Sequence, residues 1–417
     1  MKEKVVIIGG GAIGLASAYY LEKNNKSITL IDKGEFGDAC SKGNMGWVCP
    51  LLTEPVPSPG LVGTSFKWML KRDSPLYIKP LQIPKMSSWL IQFWRSCNAT
   101  NYEKGQAALL ELQKNTLTYF DELEEDGLVF EMDKEGFLFL FINEEALGKK
   151  QEQLQFRAEK LNLNSPKMLS ADEVKEILPS VSSKVSGGIF LSDQYHIRPE
   201  TLWKSLSDRL ESSGVEMKPR TEVTGFERKD GKVVAVTTNH GRIEGDKFLI
   251  AAGVWSASLA KKLGYQIPIQ AGKGYSVTMT NPSIQFPYPM YLGDSSTAIT
   301  PFSGAARIGG TMELSGISDD LDTRRINGIR SSVPQYLSQE LTGDTEVEWA
   351  GMRPMTPDGL PVLGQLPGLE NVTIASGHGM EGVVLALATG KIMTDIIGLG
   401  KTDVDITPFR VERFKAQ

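Results

Sequence analysis

At the start of the chain the apolar positions come as a block: Val5-Val-Ile-Ile8 runs without a polar break into Gly9-Gly-Gly-Ala-Ile-Gly14. Such a block predicts an apolar strand feeding a tight turn. From Ala12 to about Glu22 small and apolar residues predict a helix, and Ser27 to Ile31 predicts a second strand that ends on Asp32. A loop of small residues from Gly37 to Gly46 and a proline-rich connector through Pro59 follow. Leu109, Leu112, Leu117 and Phe120 stand near helical spacing and predict one helix over about 105–125. The unbroken apolar run from Phe137 to Phe141 predicts a buried strand, and a charged helix is expected from Asn143 to Leu161. Ser170 and Glu173 have the spacing of a capping box that opens a further helix, and 188–191 returns to strand.

A helix is expected from Pro199 to Ser213, then three short strands at 222–228, 232–238 and 242–245. Asp230-Gly231 and His240-Gly241 fall in the two turns, as a tight meander requires. Phe248 to Ala252 predicts a strand ending at Gly253, and alternation with turn signals predicts an antiparallel sheet over 272–350. The chain closes with a strand at 372–375, a turn at 376–382 and a helix from Val383 to about Ile397. The first and last segments thus read as strand–turn–helix units of one parallel sheet, with an antiparallel sheet and extra helices between them.

The turn after the first strand has the form G-x-G-x-x-G. Gly9 permits the bend, Gly11 lets the backbone approach a pyrophosphate, and Gly14 lets the helix pack close to the strand. The helix aims unpaired N–H groups and its positive dipole end at the anion. Asp32, 18 residues after Gly14, is placed to accept hydrogen bonds from an adenosine ribose. Strand, glycine turn, helix and acid together point to dinucleotide binding.

Composition narrows the partners. A chain of 417 residues can bury a large core in two or three domains, and 41% hydrophobic with 23% charged residues is ordinary for a globular protein. A net charge of -5 offers no basic field, so nucleic acid is not an expected partner. Cys40, Cys49 and Cys97 show no C-x-x-C spacing and cannot all pair, which suits a reducing compartment. His196, His240 and His378 are far apart in sequence, and no metal site is expected. The apolar N-terminus reads as a strand and not as a secretory signal, so a cytoplasmic location is expected. Prolines 75, 80 and 84 interrupt the aromatic stretch Phe66 to Trp94, which contains Trp68, Trp89, Phe93 and Trp94. That stretch is read as a buried apolar face, with peripheral contact at the inner face of a membrane as the alternative.

Four further segments carry a family resemblance. Leu249-Ile-Ala-Ala-Gly253-Val-Trp255-Ser resembles the strand and turn that approach the nucleotide in flavoproteins with two dinucleotide folds. Cys40-Ser41-Lys-Gly43-Asn44-Met-Gly46 resembles their small-residue loop beside the pyrophosphate and flavin. Trp349-Ala-Gly-Met-Arg353-Pro-Met-Thr356-Pro-Asp358-Gly-Leu-Pro361 and Ser376-Gly377-His378-Gly379-Met380-Glu381-Gly382 resemble the paired C-terminal signature of FAD-dependent amino acid oxidoreductases. From end to end the chain is similar to the D-amino acid oxidase superfamily, most of all to its bacterial D-amino acid dehydrogenase branch. Lys273-Gly-Tyr275-Ser276 and the Trp68-Met-Leu70 region fit that branch as well.

The resemblance implies an α/β protein: a Rossmann-like FAD-binding domain (1–60, 195–262 and 346–417) interleaved with an α+β substrate domain built on an antiparallel sheet (61–194 and 263–345). It implies FAD held by Gly9, Gly11, Ala12, Ile13, Gly14, Asp32, Lys33, Ser41, Gly43, Asn44, Gly46, Val223, Ala252, Gly253 and Trp255. Residues 377–382 (Gly377, His378, Gly379, Met380, Glu381 and Gly382) would face the flavin N1–C2=O edge, where backbone donors stabilise the charge of reduction. The implied activity oxidises the Cα–N bond of a free D-amino acid or cyclic imino acid to an imine, by hydride transfer to flavin N5. Hydrolysis then yields a 2-oxo acid and ammonia, and the electron acceptor stays open among oxygen, a quinone and a partner subunit.

Arg353 is the expected carboxylate clamp, since a guanidinium can grip a carboxylate through two hydrogen bonds; the alternative pairs it with Asp358 or Glu348. Tyr275 is read either as a substrate contact or as a half-buried sheet residue, and His378 as a candidate catalytic group beside backbone donors. Glycine oxidases, similar here, carry a second arginine at the place of Met380, so a glycine or sarcosine substrate is the weaker alternative. A larger apolar or cyclic substrate is favoured. A nicotinamide-dependent dehydrogenase and a non-catalytic flavin-bearing subunit are the other readings.

Overall fold

Four β-branched residues in succession favour extended backbone, and Lys4–Ile8 is an interior strand of a six-stranded sheet in the computed structural model, which describes residues 2–61 and 76–414. It pairs in parallel with Ser27–Ile31 on one side and Lys247–Ile250 on the other. Glu216–Lys218 extends the sheet past Ser27–Ile31, Leu369–Ser376 extends it in parallel past Lys247–Ile250, and antiparallel Val362–Leu366 forms the far edge. Both faces are covered, which is why the first strand is apolar at every position. Val5 and Ile7 enter the core shared with helices Ala12–Lys23, Pro199–Ser212 and Ala386–Leu399, whereas Val6 and Ile8 enter the core under the Val223–Lys229, Lys232–Thr238, Gly241–Glu244 meander.

The first and last helices approach to backbone contact. A Cβ on Gly390 would stand 2.7 Å from the Ala16 carbonyl carbon, so glycine is what lets the closing helix lie on the glycine-turn helix.

The second large sheet has nine strands. Eight follow the order Glu346–Met355, Gln270–Thr280, Ala305–Leu314, Thr297–Phe302, Met290–Leu292, Phe137–Phe141, Gly187–Leu191, Lys167–Ser170, and Leu76–Ile78 adds to Ala305–Leu314. The antiparallel expectation holds for most pairs but not all. Met290–Leu292 runs parallel to Phe137–Phe141, and Leu76–Ile78 runs parallel to Ala305–Leu314, because both partners arrive by long connections and not by hairpins.

Two helix boundaries also differ. The expected helix over 105–125 is two, Ala99–Gln113 and Thr116–Glu125. At the break the Thr116 hydroxyl donates to the Val384 carbonyl, so the second helix starts where it docks on the segment leading into the closing helix. That closing helix begins at Ala386, three residues later than its apolar pattern suggests. In the aromatic stretch, Trp89 is buried and donates Nε1–H to the Met355 carbonyl at 3.2 Å, but Ile91 and Trp94 stand 51% and 63% exposed. The expected buried face is therefore half true. Phe66, Trp68, Met69, Leu70 and Pro75 lie outside the described residues. Among the described residues no helix is long and apolar enough to cross a membrane.

Candidate functional site

A cavity of about 1220 Å³ is lined by residues of both large sheets and opens on the glycine turn. The turn is built to an unusually close tolerance. A Cβ on Gly14 would lie 1.8 Å from the Gly9 carbonyl oxygen, and one on Gly9 would lie 2.4 Å from the Ala251 carbonyl oxygen. Gly9 has φ +112°, a conformation that side chains other than glycine's avoid. Asp32 braces the turn, accepting Gly10 N–H and Gly34 N–H at 2.7 Å each. The Ala12 N–H is taken by Ser41 Oγ at 3.0 Å, while those of Gly11 and Ile13 have no acceptor among the described residues. Free N–H groups at a helix start, facing a cavity, are what a pyrophosphate needs.

Most of the expected cofactor contacts are brought together on this wall. Gly9, Gly11, Ala12, Ile13, Asp32, Lys33, Ser41, Gly43, Asn44, Gly46, Val223, Ala252, Gly253 and Trp255 all line the cavity. Lys33 Nζ sits 3.5 Å from the centroid of the Trp255 ring, a cation–π contact between two residues of the cavity lining. Gly14 and Gly377 do not reach the cavity. Gly14 acts through the close approach just described. Gly377 is required by its φ of +76°, and a Cβ there would stand 2.7 Å from Thr356 Cγ2.

The turn at 377–382 crosses to the other sheet. Gly379 N–H donates to the Pro354 carbonyl and Glu381 N–H to the His378 carbonyl, so those two donors are spent on the turn itself. Among the described residues the N–H groups of Met380, Gly382, Val383 and Val384 have no acceptor, and all four residues line the cavity. Donors prepositioned in this way can stabilise an anionic ring edge without reorganising. Burial raises Glu381 to a pKa of about 8, which leaves it neutral and hydrogen-bonded to the Thr53 hydroxyl at 3.2 Å.

His378 is buried and shares a hydrogen bond between Nε2 and Thr389 Oγ1 at 3.0 Å, inside the protein. Burial lowers its pKa to about 3, so the ring is neutral; it bonds the closing helix through Thr389, and the residue also lines the cavity. An unfolded histidine protonates near 6.5, so between pH 6.5 and 3 the unfolded chain takes up a proton that the native state refuses. Stability is lost as pH falls through that window, by up to ~1.4 kcal/mol per unit. His378→Asn is expected to flatten the acid limb of a melting-temperature profile between about pH 6 and pH 4. An unaltered limb would mean the native ring already carries the proton.

Arg353 projects from Glu346–Met355 into the cavity. Its Nη1 donates to the Thr311 carbonyl at 2.9 Å, and burial lowers its pKa to about 10. The alternative partners are engaged elsewhere. Asp358 is held by Arg413 at 2.7 Å, and Glu348 is held by Arg330 at 3.0 Å. Among the described residues Arg353 has no carboxylate partner. The guanidinium can lie across the sheet because the neighbouring strand carries Gly274, whose Cβ would be 2.3 Å from Arg353 Nη2.

Tyr275 lines the cavity and is also packed in the sheet. Its ring belongs to the core of the nine-stranded sheet and its hydroxyl donates to Glu313 Oε2 at 2.8 Å, so that hydroxyl is already committed. Met380 is 51% exposed at the rim of the cavity. The walls around Arg353 are apolar, with Ile78, Trp89 and Met355 in one small core and Phe93 and Met312 packed against it.

Sequence reasoning missed a polar group at another part of the lining. Glu54 accepts from the Tyr102 hydroxyl at 2.6 Å and from Arg157, with Lys150 3.7 Å away. Burial opposes its ionisation, but Arg157 and Lys150 outweigh that and hold the carboxyl below its usual range. Lys150 and Arg157 lie seven apart on the charged helix, as do Leu147, Leu154 and Leu161. A face carrying both rows was the available signal.

Comparison with known proteins agrees with this geometry. A family model described as FAD dependent oxidoreductase (DAO) matches residues 4–396. A D-amino acid dehydrogenase of Helicobacter pylori (strain ATCC 700392 / 26695) is 29% identical over 412 residues, covering 98% of each chain. One of Vibrio atlanticus (strain LGP32) is 27% identical over 420 residues, covering 99% of this chain and 100% of the other. Among solved structures, glycine oxidase from Geobacillus kaustophilus superposes with a TM-score of 0.76 at 20% identity, covering 99% of both chains. L-proline dehydrogenase from P. horikoshii gives 0.75 at 20% identity, covering 99% of this chain and 98% of the other.

Proposed function

This chain belongs to the DAO family of FAD-dependent oxidoreductases, and we propose on that footing that it oxidises the Cα–N bond of a free amino acid, a D-amino acid or a cyclic imino acid. The relatives named D-amino acid dehydrogenase support the substrate class. The observation that carries the reading is Arg353, a cavity-facing guanidinium that has no carboxylate partner among the described residues. A buried cation without a counter-ion is unfavourable until an anion arrives, and a planar fork suits a carboxylate.

The residues present fit FAD. A glycine turn closed to a Cβ at Gly9 and Gly14, with N–H groups at Gly11, Ile13, 380 and 382–384 that have no acceptor among the described residues, matches a pyrophosphate and an anionic ring edge. When bound, FAD supplies the acceptor for the hydride that leaves Cα. The chain's own part is placement. Arg353 fixes the carboxylate, and with it the direction of the Cα–H bond. The apolar wall of Trp89, Phe93, Met312 and Met355 excludes water from the reacting centre and favours an apolar or ring-shaped side chain. Neutral Glu381 and neutral His378 add no competing charge. The resulting imine is hydrolysed by water to the 2-oxo acid, with ammonia released from a primary amine.

The test is an anaerobic screen of the FAD-loaded protein against D- and L-amino acids, glycine, sarcosine and proline derivatives, following the visible flavin band. Bleaching by a D-amino or cyclic imino acid, and not by glycine, is the expected result. A band unmoved by the whole panel would overturn the substrate class.

A further inference from the structure

The turn at 377–382 is tied to the strand that carries Arg353. Gly379 N–H donates to the Pro354 carbonyl at 3.0 Å, and His378 forms a bridge with Met355. Beyond that tie the chain presents residues 380–384 to the cavity, and Glu381 alone among them carries an ionisable side chain. Its two carboxyl oxygens stand in different surroundings. Oε2 accepts from the hydroxyl of Thr53, which is fully buried. Oε1 has no partner among the described residues and remains open to water. The residue is half-buried and lines the cavity, so that opening is into the cavity.

The charges around the group leave it neutral. Burial is the largest influence, Glu54 adds to it, and Arg157 and the Thr53 hydroxyl oppose it, so the carboxyl keeps its proton up to about pH 8. The nearby Cys49 thiol is also held neutral by burial, as is the His378 ring. The carbonyl oxygen of an acid is its better acceptor, so Thr53 claims that oxygen and the proton stays on Oε1. A side-chain O–H thus joins the backbone N–H groups of 380 and 382–384, which have no acceptor among the described residues and face the same cavity.

We propose that Glu381 donates a hydrogen bond from Oε1 to the N1–C2=O edge of the flavin, and that this bond strengthens when reduction makes the edge anionic. The inference rests on the reading that this turn holds that edge. It adds a titratable donor to the backbone ones, and with it a dependence of the reduction potential on pH. A hydrogen bond to a charged acceptor is roughly twice as strong as one to a neutral acceptor, so the carboxyl favours the reduced state. Where Glu381 is ionised, reduction draws a proton from solvent onto Oε1, beside the one the ring takes. Two protons for two electrons, in place of one, make the potential fall about twice as steeply with pH.

The test is a spectroscopic redox titration of the FAD-loaded native protein, Glu381→Leu and Glu381→Gln against reference dyes from about pH 6 to pH 10, with no amino acid present. Glu381→Leu removes the donor and should shift the equilibrium about tenfold or more toward the oxidised form at pH 7. Glu381→Gln keeps a donor without a titrating proton. It should stay within about threefold of native at pH 7 and lack the added steepness above about pH 8. Thr53→Val takes away the hydroxyl that favours the ionised acid, so it should move the bend in the native profile to higher pH. A purely structural role would weaken oxidised and reduced FAD alike and leave the potential unmoved. If the leucine variant releases FAD, the glutamine and Thr53→Val profiles decide. A native potential in Glu381→Leu, or parallel pH profiles for native and Glu381→Gln, overturns the role of Glu381 and leaves the FAD reading standing. A native protein that takes up no flavin removes both.

Discussion

Arg353→Ala slows reduction of the bound flavin by substrate by about 30-fold or more, leaves FAD in place, and makes the ligand-free protein no less stable than before. The two halves of this expected result have one cause. In the resting protein the guanidinium is desolvated enough to bring its pKa down to about 10, and among the described residues it donates to a neutral carbonyl, that of Thr311, and meets no carboxylate. Such a cation is a burden on the fold, and its removal relieves that burden. With a carboxylate present the sign reverses, because alanine leaves that anion in an apolar pocket without a partner. Truncating one side of a buried charge pair typically costs about 2–5 kcal/mol, so kcat/KM should fall by about 30-fold or more. Arg353→Lys restores charge but not the fork, and should recover only part of the loss. Anaerobic stopped-flow and thermal melts check both halves. A variant that reduces normally would take Arg353 out of the site. One that loses FAD would move its role to the cofactor.

How far such a site is legible depends on how local its causes are. The glycine turn was readable because strand, turn, helix and Asp32 all lie within one stretch of chain, and each has its own steric or hydrogen-bonding reason. The partners of Arg353 were not. Glu348 is five residues away on the same strand, so alternation puts it on the opposite face, and Asp358 lies beyond the strand end. Their true partners, Arg330 and Arg413, come from elements whose docking no spacing reveals. The same holds for the hydrogen bond of Tyr275, whose acceptor Glu313 stands on the neighbouring strand, 38 residues on. The Thr311 carbonyl that accepts from Arg353 was invisible for a different reason. It stands where the pairing of Gln270–Thr280 with Ala305–Leu314 slips. A bulge is a property of register between strands, and Gly-Gly-Thr-Met-Glu reads as ordinary alternation with two glycines. Helix existence was easier than helix limits. The break between Gln113 and Thr116 follows from the docking of Thr116 on Val384, which no local breaker announces.

Gly274→Ala should fold, bind FAD and lose about 100-fold in kcat/KM. The glycine's backbone is in a region open to any residue, so alanine meets no conformational penalty there. Its new Cβ would fall 2.3, 2.4 and 2.5 Å from Arg353 Nη2, Cζ and Nη1. Those atoms are the far end of a flexible side chain, so the guanidinium moves and the sheet does not. A shift on the order of 1 Å in a group that orients substrate is enough to cost roughly 10²-fold in rate. The contrast with Gly14 is informative, since its Cβ would meet the Gly9 carbonyl at 1.8 Å and backbone cannot step aside. Gly14→Ala should therefore lose FAD or the fold, whereas Gly274→Ala keeps both and loses the chemistry. Flavin content, far-ultraviolet circular dichroism and steady-state kinetics on the two variants separate these outcomes. Normal kinetics in Gly274→Ala would show that the guanidinium does not need to lie flat across that strand, and the geometry assigned to the clamp would fall with it.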